Sequence, residues 1–396
     1  MTAHDAPRAP FAQRWRRPMR PRSPDDPHRA ATPLELFFDL VFVVAIAQAA
    51  SGLHHAIADA HAVDGVLGYL LAFFGIWWAW MNFTWFASAY DVDDAPYRVL
   101  VFVQMTGALI FAAGVPALAE MDRTVAVTGY VVMRVAMVLQ WIRAGQGDPE
   151  RRRCAHRYAM GTAAAQAAWV LHLRAPEALV LPGLFALIAV ELIVPAWAEA
   201  RAHTPWHPHH ITERYGLMTI IVLGESVLAA TVAIQAALAG GEALVGLLPT
   251  IGGGLLILYA MWWIYFDRPV HDLLTSLPRA FAWGYGHYFV FASAAAVGAG
   301  LAVTTDVVTD HAEAGVRAAG FAVAVPVAIY LFCLWALHHR PRHDSATPEA
   351  LAPLAIVLVL LTPLTPYPVP LVGLILAGML ALKIFARHRL AVSGAA

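Results

Sequence analysis

Long apolar stretches separated by short polar ones run along almost the whole chain. A window of about 19 residues predicts twelve helices, at about 33–57, 65–89, 97–119, 125–143, 155–173, 178–198, 212–238, 245–266, 279–303, 316–337, 350–363 and 369–387. Crossing a bilayer takes about 20 apolar residues, and most of these segments reach that length. The eleventh is short and runs into Thr362-Pro363-Leu364-Thr365-Pro366-Tyr367-Pro368, which predicts a broken or re-entrant helix. The pattern predicts an all-α integral membrane protein with about twelve transmembrane helices.

Composition sharpens this. Of 396 residues, 60% are hydrophobic and 13% charged, against about 25% charged in an ordinary soluble domain. A soluble enzyme is excluded. Residues 1–31 hold seven arginines and six prolines, which predicts a disordered basic arm. Cys154 and Cys333 provide neither a disulfide framework nor a zinc-type spacing. With the amino terminus inside, 22 of the 26 Lys and Arg fall in the arm or in inward-facing segments, as the positive-inside rule requires. Only Arg123, Arg174 and Arg317 lie in outward loops, and Arg134 sits within the fourth helix. Both termini are therefore expected in the cytoplasm.

A weak internal duplication accompanies the helices. Glu35 and Glu213 open the first and seventh helices, Trp80-Met81-Asn82-Phe83 matches Trp263-Ile264-Tyr265-Phe266, and Arg98 matches Arg279. The spacing stays between 178 and 183 residues, which predicts two parallel six-helix repeats. The expected domains are the arm (1–31), a first repeat (32–200), a His/Pro-rich cytoplasmic loop (201–211), a second repeat (212–390) and a C-terminal tail (391–396).

The charges inside the apolar segments carry the candidate chemistry. An ionised group at the centre of a membrane helix costs about 2.5–3.5 kcal/mol on insertion scales. Asp39, Arg134, Glu191 and Glu225 lie within predicted spans, with Glu35, Glu213, Arg214 and Asp267 at their cytoplasmic boundaries. At about 1.5 Å per residue, the first four lie about 9, 13, 10 and 19 Å from the cytoplasmic helix ends, where one polar cavity is expected to hold them. Three carboxylates against one guanidinium leave a negative surplus, which predicts bound protons or a cation rather than an anion. Glu35 and Asp39, four apart, share a helix face with Phe42 and Ile46. Arg134 is the natural partner of Glu225, Asp39 or Glu191, and Arg214 shares a stripe with Met218, Ile221 and Glu225. Interhelical clamping without transport is the alternative role for such charges.

Gln48, Asn82, Gln104, Gln140, Gln166, Gln235, His172 and His287 are expected to link helices by hydrogen bonds. His287 is the candidate proton relay among them, and Asn82 and His287 join the second-tier site residues. His203, His207, His209 and His210 form a histidine-rich run; they are weak metal candidates, and a solvated loop is the preferred reading. No Walker A loop, Gly-x-Ser-x-Gly elbow or His-Glu-x-x-His occurs. No enzyme activity, metal or cofactor is therefore expected.

Three segments resemble the bacterial low temperature requirement A family. They are Thr32-Pro33-Leu34-Glu35-Leu36-Phe37-Phe38-Asp39-Leu40-Val41-Phe42, Glu213-Arg214-Tyr215-Gly216-Leu217-Met218-Thr219-Ile220-Ile221-Val222-Leu223-Gly224-Glu225-Ser226 and Trp262-Trp263-Ile264-Tyr265-Phe266-Asp267. The resemblance implies a polytopic bacterial inner-membrane protein of a family named for growth in the cold, and it brings no substrate or reaction. Its signature charges fall on Glu35, Asp39, Glu213, Arg214 and Glu225. The expected function is a proton- or cation-linked transporter or ion permease with a buried acidic site between two repeats. The rival is a membrane adaptor or stress sensor acting through the basic arm. Expected partners are membrane lipid and protons, small cations or a small solute, with a homo-oligomer as a further arrangement and no nucleic acid.

Overall fold

The computed structural model describes residues 15–23, 26, 29–241, 244–340 and 350–393, and all regular structure among them is helical. Twelve α-helices follow in order: α1 Pro33–Ala58, α2 Ala62–Tyr90, α3 Ala95–Gly114, α4 Thr124–Gly147, α5 Arg152–His172, α6 Glu177–Glu199, α7 Pro208–Ala239, α8 Leu244–Phe266, α9 Leu277–Val308, α10 Val316–Leu334, α11 Leu351–Leu361 and α12 Pro368–Ser393. Ten are long and apolar enough to cross a membrane. The other two are α5, which opens on Arg152 and Arg153, and α11, whose 11 residues span only about 16 Å of an apolar layer about 30 Å thick.

Local chemistry sets the helix ends. At α1 the Glu35 amide donates to Thr32 Oγ1 at 3.3 Å and the Thr32 amide donates to Glu35 Oε2 at 2.7 Å, a reciprocal capping box. Pro33 sits in the first turn, where its missing N–H costs nothing. The third helix stops at Gly114 rather than near 119, because Pro116 cannot continue it and opens a single 3₁₀ turn. Pro208 opens α7 in the same way, so His209 and His210 belong to a helix start, and the expected loop 201–211 ends at His207. The last helix runs on to Ser393 and takes in residues 391–393 of the expected tail, whereas 394–396 lie outside the described residues.

The chain packs as two compact units. Unit 1 comprises residues 1–45 and 78–213, and unit 2 comprises 46–77 and 214–396. The second unit resumes at Arg214, and Ile46–Trp77 belongs to it as well. The units therefore differ from the contiguous halves 32–200 and 212–390.

In unit 1, α3 to α6 pack each against the next. Trp141 of α4 stacks flat on Tyr158 of α5 at 4.1 Å, and Phe38 of α1 meets Phe83 of α2 at 4.1 Å. Residues 15–23, 26 and 29–31 of the basic arm belong to this unit, and residues 1–14, 24–25 and 27–28 lie outside the described residues. The Arg17 amide donates to Asp94 Oδ2 at 2.8 Å and the Arg22 amide to the Ala89 carbonyl at 2.8 Å. Met19 is buried against Gly147, where an added Cβ would stand 2.3 Å from the Met19 carbonyl oxygen. Gly147→Ala is therefore expected to lift the arm off unit 1. Hydrogen exchange of amides 17–22 should rise well above wild type, and unchanged protection would show that the arm is held elsewhere.

In unit 2, α9 is the central helix, with most of its span buried. Its run of small residues admits close neighbours: a Cβ on Gly298 would stand 2.7 Å from Ser226 Cα of α7. Ser226 Oγ donates to the Ala294 carbonyl at 2.9 Å, and Tyr69 of α2 donates to the Ala292 carbonyl at 2.6 Å.

Candidate functional site

Unit 1 holds a closed hydrogen-bonded cluster around Glu191 of α6, which is fully buried. Its Oε2 accepts from Trp78 Nε1 at 2.9 Å and Arg134 Nη2 at 3.1 Å. Its Oε1 accepts from Tyr130 OH at 3.0 Å and Gln166 Nε2 at 2.9 Å. Helical spacing builds the cluster, since Tyr130 and Arg134 are four apart on α4 and Trp78 and Asn82 four apart on α2. Asn82 steadies it, donating to the Trp78 carbonyl at 2.8 Å and accepting from Arg134 at 3.5 Å. Of the three carboxylates offered to Arg134 by the sequence, Glu191 is the one it pairs with. The pair is neutral and the carboxylate fully supplied with donors, as an interhelical clamp requires. The remaining buried glutamines divide: Gln166 joins the cluster, whereas Gln104 Nε2 and both amide atoms of Gln140 have no partner among the described residues.

Asp39 of α1 is fully buried and accepts from Trp80 Nε1 at 2.6 Å. Trp78 and Trp80 are two residues apart and so leave α2 on nearly opposite sides. The two carboxylates they serve, Glu191 and Asp39, are approached from different faces of that helix.

One turn before Asp39, Glu35 anchors a second polar cluster. Arg29 Nη2 stands 3.2 Å from Glu35 Oε1 and 3.6 Å from Asp91, and His210 Nε2 lies 3.1 Å from Glu35 Oε1. Arg22 reaches Asp91 at 3.9 Å, and the Ala31 amide donates to Glu213 Oε2 at 3.1 Å. Glu35 and Glu213, matched across the suggested duplication, thus both bind the end of the arm.

Asp91 follows α2, and its carboxyl is pushed up to about 6 by burial first and by the Glu35 carboxylate second; Arg29 and Arg22 oppose this, and Asp93 adds a smaller push. A carboxyl that holds its proton more tightly folded than unfolded (ordinary value 3.8) stabilises the fold while protonated. That contribution is complete below about pH 4 and is lost as pH rises through about 6. Asp91→Asn removes it. The melting temperature of wild type is expected to fall more than that of the variant between pH 5 and pH 7.5. Parallel curves would show that Asp91 does not titrate in that window.

Unit 2 presents a different kind of carboxylate. Glu225 of α7 is 7% exposed, and among the described residues it has no hydrogen bond or ion pair. The stripe leading to it (Arg214, Met218, Ile221) is mostly buried, Arg214 completely. Asp267 is neutralised instead by α12, with Arg387 gripping both oxygens at 2.7 and 2.6 Å and Lys383 Nζ at 4.0 Å. His287 is boxed in by Tyr215, Trp283 and Phe291. Its Nδ1 faces the Trp283 carbonyl at 2.7 Å and so carries the hydrogen, which leaves Nε2 to accept from Tyr265 OH at 3.2 Å. Both nitrogens are committed, so a proton relay through His287 would have to break one of these bonds.

The histidine run does not converge. His203 Nδ1 approaches Glu199 at 3.5 Å, His207 Nε2 bonds the Asp26 carbonyl at 2.8 Å, and His210 lies on Glu35. His209 sits beside His210 in the first turn of α7. Among the described residues no group of three or more His, Cys, Asp or Glu is placed to hold a metal ion.

Comparison with known proteins decides the family. The model of the bacterial low temperature requirement A protein (LtrA) matches residues 30–385. This chain belongs to the LtrA family. It is also 28% identical over 257 residues, 61% of its length, to an uncharacterized protein of Rhizobium meliloti (strain 1021), and the match covers 59% of that protein. No solved structure matches it.

The LtrA match begins at residue 30, so Arg17, Arg22 and Arg29 lie before it, while their partners Asp94, Asp91 and Glu35 lie within it. Sequence reading missed these arm contacts because arginine and proline content reads as disorder. The signal that could have found them is Asp91-Val92-Asp93-Asp94, an acidic run directly after a predicted helix, with arginines in the arm to meet it. It also missed the indole donors of Trp78 and Trp80. A tryptophan deep in a span, with a carboxylate at a similar depth on another helix, is the corresponding signal.

Proposed function

We propose that this LtrA-family protein is a proton- or cation-linked transporter or ion permease, in which Glu225 and Asp39 carry the exchangeable charge. The observation supporting this most is the contrast between two buried glutamates. Glu191 has four donors, one of them a guanidinium; Glu225 has no hydrogen bond or ion pair among the described residues. A clamp needs the first arrangement. A buried carboxylate without such company is neutralised by binding a proton or a cation. Glu191 and Arg134 then serve as scaffold, and Arg214, Glu35 and Glu213 as boundary charges. The proposal sets the chain in the bacterial inner membrane with both termini cytoplasmic, following its arginines, as two parallel six-helix repeats without enzymatic chemistry. The test is a flux screen of purified protein in liposomes for protons, potassium, sodium and small solutes. At least one flux is expected above that of protein-free vesicles, and none above it would overturn the reading.

The arm supports a second reading, that of a membrane adaptor or stress sensor. Its contacts with Asp94, Asp91, Glu35 and Glu213 give it a defined seat from which to act. This reading involves no transport: removing residues 1–30 should abolish the cellular phenotype, whereas neutralising Glu225 should only lower stability.

A further inference from the structure

We infer that the ordered arm and the start of α5 together form a binding site for the phosphate headgroup of an anionic phospholipid. Arg17 and Met19 fix the arm to Asp94 and to Gly147, the last residue of α4. Arg152 Nε donates to the Gly145 carbonyl at 3.0 Å, which brings the start of α5 to that same last turn. Arg16, Arg17, Arg20, Arg152 and Arg153 are exposed there, and none makes an ion pair among the described residues.

The nearby acids are already engaged. Asp94 takes Arg143 at 2.7 Å and Tyr97, Asp148 takes Arg151 at 3.3 Å and Tyr90, and Glu150 faces Arg151 at 3.6 Å. Glu199 is held by Thr204, Tyr158 and His203. The patch is left cationic. Guanidinium forks match the oxygens of a phosphodiester, and clustered arginines beside a membrane helix favour anionic lipid. Trp15, 60% exposed at the edge of this patch, is the side chain that settles at headgroup level. The inference needs only that these helix ends lie at a membrane surface, and it stands or falls independently of the transport reading.

The experiment is native mass spectrometry of the full-length protein in detergent, with phosphatidylglycerol, phosphatidylcholine or inorganic phosphate added separately. Retention of phosphatidylglycerol over phosphatidylcholine is expected. The triple variant Arg16→Gln, Arg20→Gln, Arg153→Gln should lose it by at least about tenfold, whereas lysine at the same positions should keep most of it. Trp15→Ala, which leaves every charge in place, should weaken retention several-fold and covers the case of a triple variant that fails to fold. Equal retention of both lipids, an unchanged triple variant, or displacement of phosphatidylglycerol by equimolar inorganic phosphate would overturn the inference.

Discussion

Arg134→Ala is expected to cost this protein most of its stability. The substitution leaves the Glu191 carboxylate fully buried without its cation, and breaking a buried pair from one side costs about 3–5 kcal/mol. A folded chain has a margin of only about 5–15 kcal/mol. The purified variant should melt far below wild type or fail to accumulate. Glu191→Ala should behave similarly, because Arg134 Nε and Nη1 already lack partners among the described residues and Nη2 would lose its carboxylate. Changing both partners to neutral residues of similar volume, Arg134→Met with Glu191→Gln, should recover a large part of the loss, since no bare charge remains. A single Arg134→Ala variant that melts with wild type would show that the cluster is not a clamp.

Glu225→Gln should have the opposite profile. With no partner to abandon, the isosteric amide removes only a charge that is costly to bury. The melting temperature should stay within a few degrees of wild type or rise. Ion flux should drop at least a hundredfold, because the amide neither releases a proton nor balances a cation. Wild-type flux in this variant would remove Glu225 from the pathway. A collapse in stability would mean that it holds the fold together as Glu191 does.

These contrasting outcomes trace what the sequence could convey. Apolar run lengths located all twelve helices; the ends that moved furthest are at Gly114 and Pro208, where proline outweighs hydropathy, and at Gly147, Val308 and Ser393, where the helix runs on past its apolar stretch. Cost arguments singled out Asp39, Arg134, Glu191 and Glu225, because any charge in an apolar helix is conspicuous. Depth along the helix axis, however, says nothing of direction around neighbouring helices. It was rotation about α2, through Trp78 and Trp80, that decided which carboxylate is sealed by which donor. The arm was illegible for another reason: it is held by backbone contacts of Arg17, Met19 and Arg22 and by the side-chain pairs of Arg29 with Glu35 and Asp91, which composition does not register.

Carbodiimide labelling tests the central contrast between the two glutamates most directly. The reagent enters apolar regions and modifies carboxyls that carry a proton. In wild-type protein it should modify Glu225 and spare Glu191, more slowly at high pH or with a competing cation, and flux should fall in step with labelling. Modification of Glu191 in preference to Glu225, or complete labelling of Glu225 with undiminished flux, would contradict the assignment.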